Sequence, residues 1–284
     1  MRLIISLLIL LVLKSAGVVA QVNTMPGEAS VNNTLFLYEV KLVDEFIERF
    51  NDDPSSYIRE QCKALYGTDN MITRSRLLKT LFNKGQKWSA DTGLFFKEVL
   101  DIKNARYLSF TDSTWYAETR CIFLYNNKKV EIPLLLHIKT ENKGFKWMIA
   151  GIGNSEVFKG KTPPPMPVGS FGPPTGEFIP TSSHGTDFLV FNNVFTDKMH
   201  PRDYFEPTLL ATTRAQYIIS LIMQHKATFQ YVHNIRYHFY QVDNWIFTID
   251  QFKRNDANKG WLISSLQKVS PQAKAMSLKK LLYQ

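Results

Sequence analysis

The histidines are the first side chains to test for chemistry, because five of the six lie after residue 183. Clustered histidines are typical of metal sites. His233 and His238, however, are five residues apart in one predicted strand, so they face opposite sides of a sheet. The chain also contains no HExxH and no Cys-x-x-Cys motif. We therefore predict no metal site.

Two glycine segments resemble nucleotide-binding loops but lack the residues that such loops need. Gly160-Lys161-Thr162 has Ser155 where a phosphate-binding loop has its first glycine, and prolines stand where the helix should begin. Gly151-Ile152-Gly153 has Glu156 in place of the third glycine of a dinucleotide-binding loop. No Gly-x-Ser-x-Gly nucleophile motif occurs. The sequence predicts no catalytic set and no cofactor.

Cys62 and Cys121 are the only cysteines of the chain. In an oxidising compartment a disulfide between them would close a long loop and stabilise the fold by roughly 4 kcal/mol. The alternative is two separate buried thiols that pack as small apolar residues. Because Cys62 lies in a predicted helix and Cys121 in a predicted strand, the disulfide needs that helix to lie on that sheet.

The N-terminal residues have the pattern of a secretory signal peptide. Arg2 gives a positive start, Leu3 to Leu13 is apolar apart from Ser6, and Val18-Val19-Ala20 places small residues before Gln21. The apolar run ends at Lys14 and is about half of the roughly 20 residues that cross a bilayer. Cleavage is therefore favoured over an uncleaved anchor. We expect a mature protein in the periplasm or outside the cell, and the style of the signal is typical of bacteria.

The net charge of the chain is +9, with 44% hydrophobic and 13% aromatic residues, which is typical of a globular protein with a large core. An excess of positive charge can favour anionic partners such as nucleic acid. The Lys and Arg residues are scattered and form no basic run, so an ordinary solvated surface is the better interpretation. No nucleic-acid partner is expected.

The composition changes most sharply over 159–185, where seven prolines lie between Pro163 and Pro180. Proline removes backbone donors and restricts the preceding residue, so neither a helix nor a central strand continues through this segment. We predict four parts. They are a signal peptide (1–20), a first α+β domain (21–158), a Pro/Gly-rich linker (159–185) and a second, smaller α+β domain (186–284).

Both predicted domains place helices before strands. In the first, apolar residues recur at helical spacing over 35–50, 54–65 and 73–82, and strands are predicted over 95–102, 105–110, 114–125, 129–140 and 145–152. In the second, a helix over 213–223 precedes strands over 228–242, 245–254 and 261–269. The closing hairpins share Asn-Lys-Gly before an apolar strand, which indicates a divergent internal duplication.

This element order resembles the nuclear transport factor 2-like (cystatin-like) superfamily, over most of 35–152 and less clearly over 186–269. The resemblance rests on element order and implies two α+β units, each with helices packed on a curved antiparallel sheet. Tandem units of this kind resemble scaffold proteins of conjugative and type IV secretion systems. That implies a non-enzymatic role with a protein partner that the sequence does not name.

The same resemblance implies an alternative, because some superfamily members are isomerases or dehydratases that use a carboxylate with Tyr or His in a conical pocket. By that analogy the pocket candidates are His233, Tyr237 and Asp250 on the second sheet. The competing interpretation is packing, because His233 shares a face of its predicted strand with aromatic residues.

The last residues, 270–284, form a separate feature that contains Ser277-Leu278-Lys279-Lys280-Leu281-Leu282. This basic amphipathic stretch is a candidate for peripheral membrane contact, and a terminus packed on its own domain is the alternative. We expect an exported, non-enzymatic binding or scaffold protein of a cell-envelope or secretion assembly. The alternative is a small-ligand-binding protein or an enzyme with a conical pocket.

Expression of the full chain in a bacterial host should yield a soluble extracytoplasmic protein that begins at Gln21, because the cleavage pattern precedes that residue. N-terminal sequencing of the periplasmic fraction measures this. Recovery of Met1 or Arg2 in an integral membrane fraction would contradict export with cleavage.

Overall fold

The computed structural model describes residues 39–141, 144–159, 171–255 and 257–282. The predicted signal peptide and the first part of the predicted linker, 160–170, lie outside these residues. Among the helices described, none has the length and apolar character that crossing a membrane requires.

The first half of the chain runs from a short edge strand through four helices into three long strands. In chain order these are β1 (Glu39–Val40), α1 (Val43–Asn51), α2 (Tyr57–Tyr66), α3 (Arg74–Thr80), α4 (Asp91–Val99), β2 (Trp115–Tyr125), β3 (Lys128–Glu141) and β4 (Gly144–Ile152).

The second half has the same order, with three four-residue helices and one eleven-residue helix before its long strands. A 3₁₀ turn (Glu156–Phe158) precedes β5 (Ile179–Pro180), and a second 3₁₀ segment (Thr181–Thr186) follows it. The remaining elements are α5 (Phe191–Val194), α6 (Pro201–Tyr204), α7 (Pro207–Leu210), α8 (Thr213–Met223), β6 (Ala227–Phe239), β7 (Trp245–Phe252), β8 (Lys259–Lys268) and α9 (Pro271–Leu282).

Most of the predicted strands are confirmed, but two segments of the first half differ. The strand predicted over 95–102 is wrong, because Asp91–Val99 is a helix that buries Phe95 and Val99, one helical turn apart. The segment 105–110 is not a strand either. The backbone N–H and C=O of Leu108 bond to the side-chain amide of Asn51, at 2.8 and 2.7 Å.

All eight strands belong to one mixed sheet with the order β1-β8-β7-β6-β2-β3-β4-β5. The α+β fold class is therefore confirmed. The prediction of two separate units is not, because β2 of the first half pairs along its length with β6 of the second. The described residues all fall in one structural unit, 36–284.

The order of the long strands is symmetric about the β2–β6 pair. Ala117 lies opposite Tyr237 there, and a three-stranded meander extends to each side. Each meander has a bulge at the same place. Ala150 is the extra residue of β4, opposite the junction of Leu135 and Leu136, and Ser264 is the extra residue of β8. This symmetry supports the predicted internal duplication.

Each half also covers the outer strand of the other half. Phe82, which follows α3, forms a parallel bridge to Ile263 of β8, while Phe205, which follows α6, bridges Ile149 of β4. Backbone hydrogen bonds fix both contacts, from Ile263 N–H to the Leu81 carbonyl at 2.8 Å and from Glu206 N–H to the Ile149 carbonyl at 2.9 Å. The segment that ends at Phe82 and the segment that ends at Phe205 therefore each pack on a strand of the other half.

The inner face of the sheet, which carries Trp115, Trp147, Tyr237 and Phe247, packs against the helices and forms the main core. Aromatic rings dominate this core. The ring of Tyr237 lies between Trp115 and Trp261, with centroids 5.7 and 5.0 Å away. Burial of this many large apolar side chains is the main stabilising contribution to the fold.

The described part of the predicted linker, 171–185, is packed on the rest of the protein. Phe171 and Ile179 are buried in the main core. The carboxylate of Asp203 accepts hydrogen bonds from the backbone N–H groups of Thr175 and Gly176 at 3.0–3.1 Å. This stretch therefore acts as part of the fold, not as a spacer.

The outer face of the sheet, which carries Tyr116, His137, His238 and Asp250, is partly covered by α9. Leu278, Leu281 and Leu282 of this helix pack on the cluster of Tyr116, Leu135, Tyr240 and Ile246. The apolar side of the C-terminal segment is thus engaged with the sheet, and membrane contact by this segment stays a prediction.

A protease site inserted between residues 159 and 171 should give two fragments that stay together after cleavage. They share the β2–β6 pair and the two reciprocal bridges, which do not depend on chain continuity. Size-exclusion chromatography of the cleaved protein measures this. Elution of two separate folded fragments in native buffer would contradict the shared sheet and restore the two-domain prediction.

Candidate functional site

The three pocket candidates from the sequence do not come together. His233 is exposed, because it is the extra residue of a bulge in β6 opposite Arg120 and Cys121. Tyr237 is fully buried on the inner face, and no hydrogen-bond partner of its hydroxyl is found among the described residues. Asp250 lies on the outer face and pairs with Arg236 at 2.8 and 3.0 Å.

The described residues contain no group of three His, Cys, Asp or Glu side chains that could hold a metal ion. Cys62 and Cys121 are free buried thiols in two different apolar clusters. The structure therefore shows no disulfide between them. Burial raises the pKa of the Cys121 thiol to about 12, so this cysteine stays protonated.

A cavity of about 430 Å³ lies on the outer face, beside the bulge of β4. We call it the outer cavity. Its walls come from β2, β3 and β4, from the segment between α6 and α8, and from the end of α9. The lining residues are Tyr116, His137, Ala150, Ile152, Glu206, Thr208, Leu209, Thr212, Arg214 and Leu282.

Glu206 forms the polar wall of the cavity. The reciprocal bridge places it there, since its N–H is bonded to Ile149, and it is followed by Pro207 at the start of α7. His137 Nε2 lies 2.9 Å from Glu206 Oε1, and Lys139 Nζ lies 3.2 Å from Glu206 Oε2. The hydrogen bond from His137 and the charge of Lys139 hold the pKa of Glu206 below its ordinary value, although burial opposes this.

Tyr116 stacks beside this pair. Its ring is nearly parallel to the imidazole of His137, with an interplanar angle of 8° and 6.0 Å between centroids. The two residues are direct partners in the β2–β3 register. Burial and the neighbouring Tyr240 raise the pKa of Tyr116 to about 12, so the phenol remains protonated and can donate a hydrogen bond.

Arg214 and the start of α8 close the other side of the cavity. Arg214 donates to the carbonyl of Ile152 at 2.7 Å and to Asn154 Oδ1 at 3.0 Å. The hydroxyl of Thr212 accepts the N–H of Ala215 at 3.3 Å and so caps α8. The guanidinium is thus held against the end of β4 by side-chain and backbone contacts.

The arrangement suits binding better than proton abstraction by Glu206. A carboxylate with a lowered pKa is a weak base, and both oxygens of Glu206 are already hydrogen-bonded. When His137 donates from Nε2, its Nδ1 is an acceptor. The cavity therefore offers fixed polar groups together with the apolar side chains of Ile152, Leu209 and Leu282.

Sequence reasoning missed every one of the polar groups that line the outer cavity. The segment 187–210 has no long periodic run, so no element was predicted there. One signal was available, since Glu206-Pro207 has the pattern of a helix start with proline in the first turn. Nothing in the sequence pairs that segment with His137.

Comparison with family models, with curated proteins and with solved structures finds no match to this chain. The resemblance to the nuclear transport factor 2-like superfamily stays a prediction that rests on element order. The outer cavity must be interpreted from its own geometry.

Acid should weaken the fold partly through Glu206. A carboxyl group whose pKa is lower in the folded chain stabilises the fold above its unfolded pKa, and this contribution is lost as pH falls through the folded pKa. We expect the free energy of unfolding, measured with urea, to fall as pH drops below the ordinary value of 4.5. Glu206→Gln should be less stable than the parent at pH 6, and the difference should shrink towards pH 3.

Glu60→Gln is the matched control, because Glu60 lies on the exposed side of α2. It should keep the acid dependence of the parent. An equal dependence for Glu206→Gln would show that the contacts with His137 and Lys139 contribute nothing to stability.

Proposed function

We propose that this protein binds a compact small molecule in the outer cavity. The observation that carries the proposal is the convergence of His137, Glu206 and Tyr116 on a cavity whose lining also includes several apolar side chains. Small-molecule sites are typically cavities of about 300–1,000 Å³ with an apolar lining and a few fixed polar groups. The outer cavity has both properties.

The two faces of the sheet favour this function over a scaffold role. A protein-binding sheet should present exposed apolar patches. The inner face is covered by helices, and the open part of the outer face carries ion pairs such as Glu118–His238 and Arg236–Asp250. Among the large exposed apolar side chains of the described residues, only Leu124, Phe145 and Tyr231 belong to sheet strands.

Export remains part of the proposal, supported by the signal-peptide pattern of the first residues. A protein that carries, senses or scavenges a small molecule outside the cytoplasm does so by binding alone. Such a role needs no cofactor. The role in a secretion assembly stays a prediction of the resemblance.

The test is a titration with Nile red, a neutral apolar fluorophore. We expect saturable binding to one site, which Thr208→Trp weakens by about tenfold or more because the indole fills the cavity. Thr208 is exposed, so the substitution should leave the thermal melt near that of the parent.

Thr228→Trp is the matched control, since Thr228 is an exposed residue of β6 that does not line the outer cavity. It should bind the probe as the parent does. Equal binding by Thr208→Trp and Thr228→Trp, or no saturable binding by the parent, would contradict a ligand site in the outer cavity.

A further inference from the structure

The charged side chains of the outer cavity bear on the class of ligand, an inference that rests on the proposed function. Glu206 is the carboxylate that lines it, and its two oxygens are occupied by His137 and Lys139. A cationic ligand group would have to displace one of these contacts. The negative charge of Glu206 is also offset by the ammonium of Lys139 at 3.2 Å.

A second positive charge comes from Arg214, which lines the cavity. Among the described charged side chains, Glu206 and Arg214 line the cavity, and Lys139, which lies outside the lining, compensates the charge of Glu206. A partly enclosed site whose carboxylate is already compensated and whose lining includes a guanidinium favours an anionic ligand group.

The start of α8 adds to the same preference. The eleven-residue helix begins at Thr213, and Thr212, its N-cap, lines the cavity. The N–H groups of a first helical turn lack intrahelical acceptors, and the N-terminus carries a partial positive charge. The hydroxyl of Thr212 takes one of these N–H groups, from Ala215. The partial positive charge at the start of α8 thus adds to the positive charge of Arg214.

The rest of the lining fixes the other part of the ligand. Ile152, Leu209 and Leu282 give the cavity its larger apolar side chains, and Ala150 adds a small one. A cavity of about 430 Å³ lies in the lower part of the range for small-molecule sites. It suits a short apolar body, such as a medium-length alkyl chain or a single aromatic ring.

From these observations we infer that the ligand of the outer cavity is a compact monocarboxylate with an apolar body. The carboxylate lies towards Arg214 and the start of α8, and the apolar body lies against Ile152, Leu209 and Leu282. His137 and Tyr116 contact the bound molecule at its edge.

Three compounds with one tail and different head groups test the inference by displacement of Nile red. Octanoate, octanol and octylamine share the apolar chain and differ in charge. We expect octanoate to displace the probe at a concentration about tenfold lower than octanol, and octylamine to be the weakest.

Variants of Arg214 test whether this side chain provides the positive charge that binds the carboxylate. Arg214→Gln should weaken octanoate about tenfold and leave octanol nearly unchanged, while Arg214→Lys should retain the preference because the charge is kept. Asn154→Ala is the control for fold, since it removes a partner of the guanidinium without removing the charge. Thermal melts of the three variants show whether each is folded.

The outcomes separate the two proposals. Equal displacement by octanoate and octanol, a preference for octylamine, or no displacement by any of the three would overturn the carboxylate inference while probe binding still supports the cavity. Loss of the preference in Asn154→Ala but not in Arg214→Gln would also overturn it. Failure of Nile red to bind contradicts the proposed function itself.

Discussion

The antiparallel pairing of β2 with β6 is the constraint on which the rest of the structure depends. It joins two three-stranded meanders through their first strands, so that the sheet grows outward in both directions from Ala117 and Tyr237. The alanine leaves room on the inner face where the tyrosine ring packs between Trp115 and Trp261, one tryptophan from each half. Neither half could bury this aromatic layer alone, because the rings of each half pack against the rings of the other half.

The outer strands of such a sheet would present unpaired backbone groups, which favour pairing with other chains. Each edge is covered by short segments. On β8 these are β1 and the backbone around Phe82, and on β4 they are β5 and the backbone around Phe205. The approach of β1 requires glycine at position 260, where φ is +87° and a Cβ atom would lie 1.9 Å from the Val40 carbonyl oxygen. The covering of β4 also creates the outer cavity, since it carries Glu206 over the bulge at Ala150.

The sequence predicted the strands of both meanders well, because alternation of apolar and polar residues reports a half-buried strand directly. It failed on α4, where the apolar run Leu94 to Phe96 fits a helix and a strand equally. The sequence also predicted two separate domains, whereas the strands form one sheet. Alternation shows that a strand has a buried face, but it does not show which strand lies beside it. His233 was misplaced because it is itself the extra residue of a bulge in β6, which strict alternation does not reveal. His137 and Glu206 are 69 residues apart, and their contact depends on a crossing of segments that has no local signature.

The walls of the outer cavity come from three distant stretches of chain that non-covalent contacts alone hold in place, namely β2 to β4, the segment 206–214 and the end of α9. Undocking of any one stretch dismantles the cavity, so a ligand binds only the state in which all three are in place. Ligand binding then stabilises that state relative to every partly opened one, by an amount set by ligand concentration and affinity. Amide hydrogen exchange should therefore slow together in α9, β4 and α8 on ligand addition, as it would for one cooperative unit. The cavity, although small and peripheral, thus couples the C-terminal helix to both halves of the sheet.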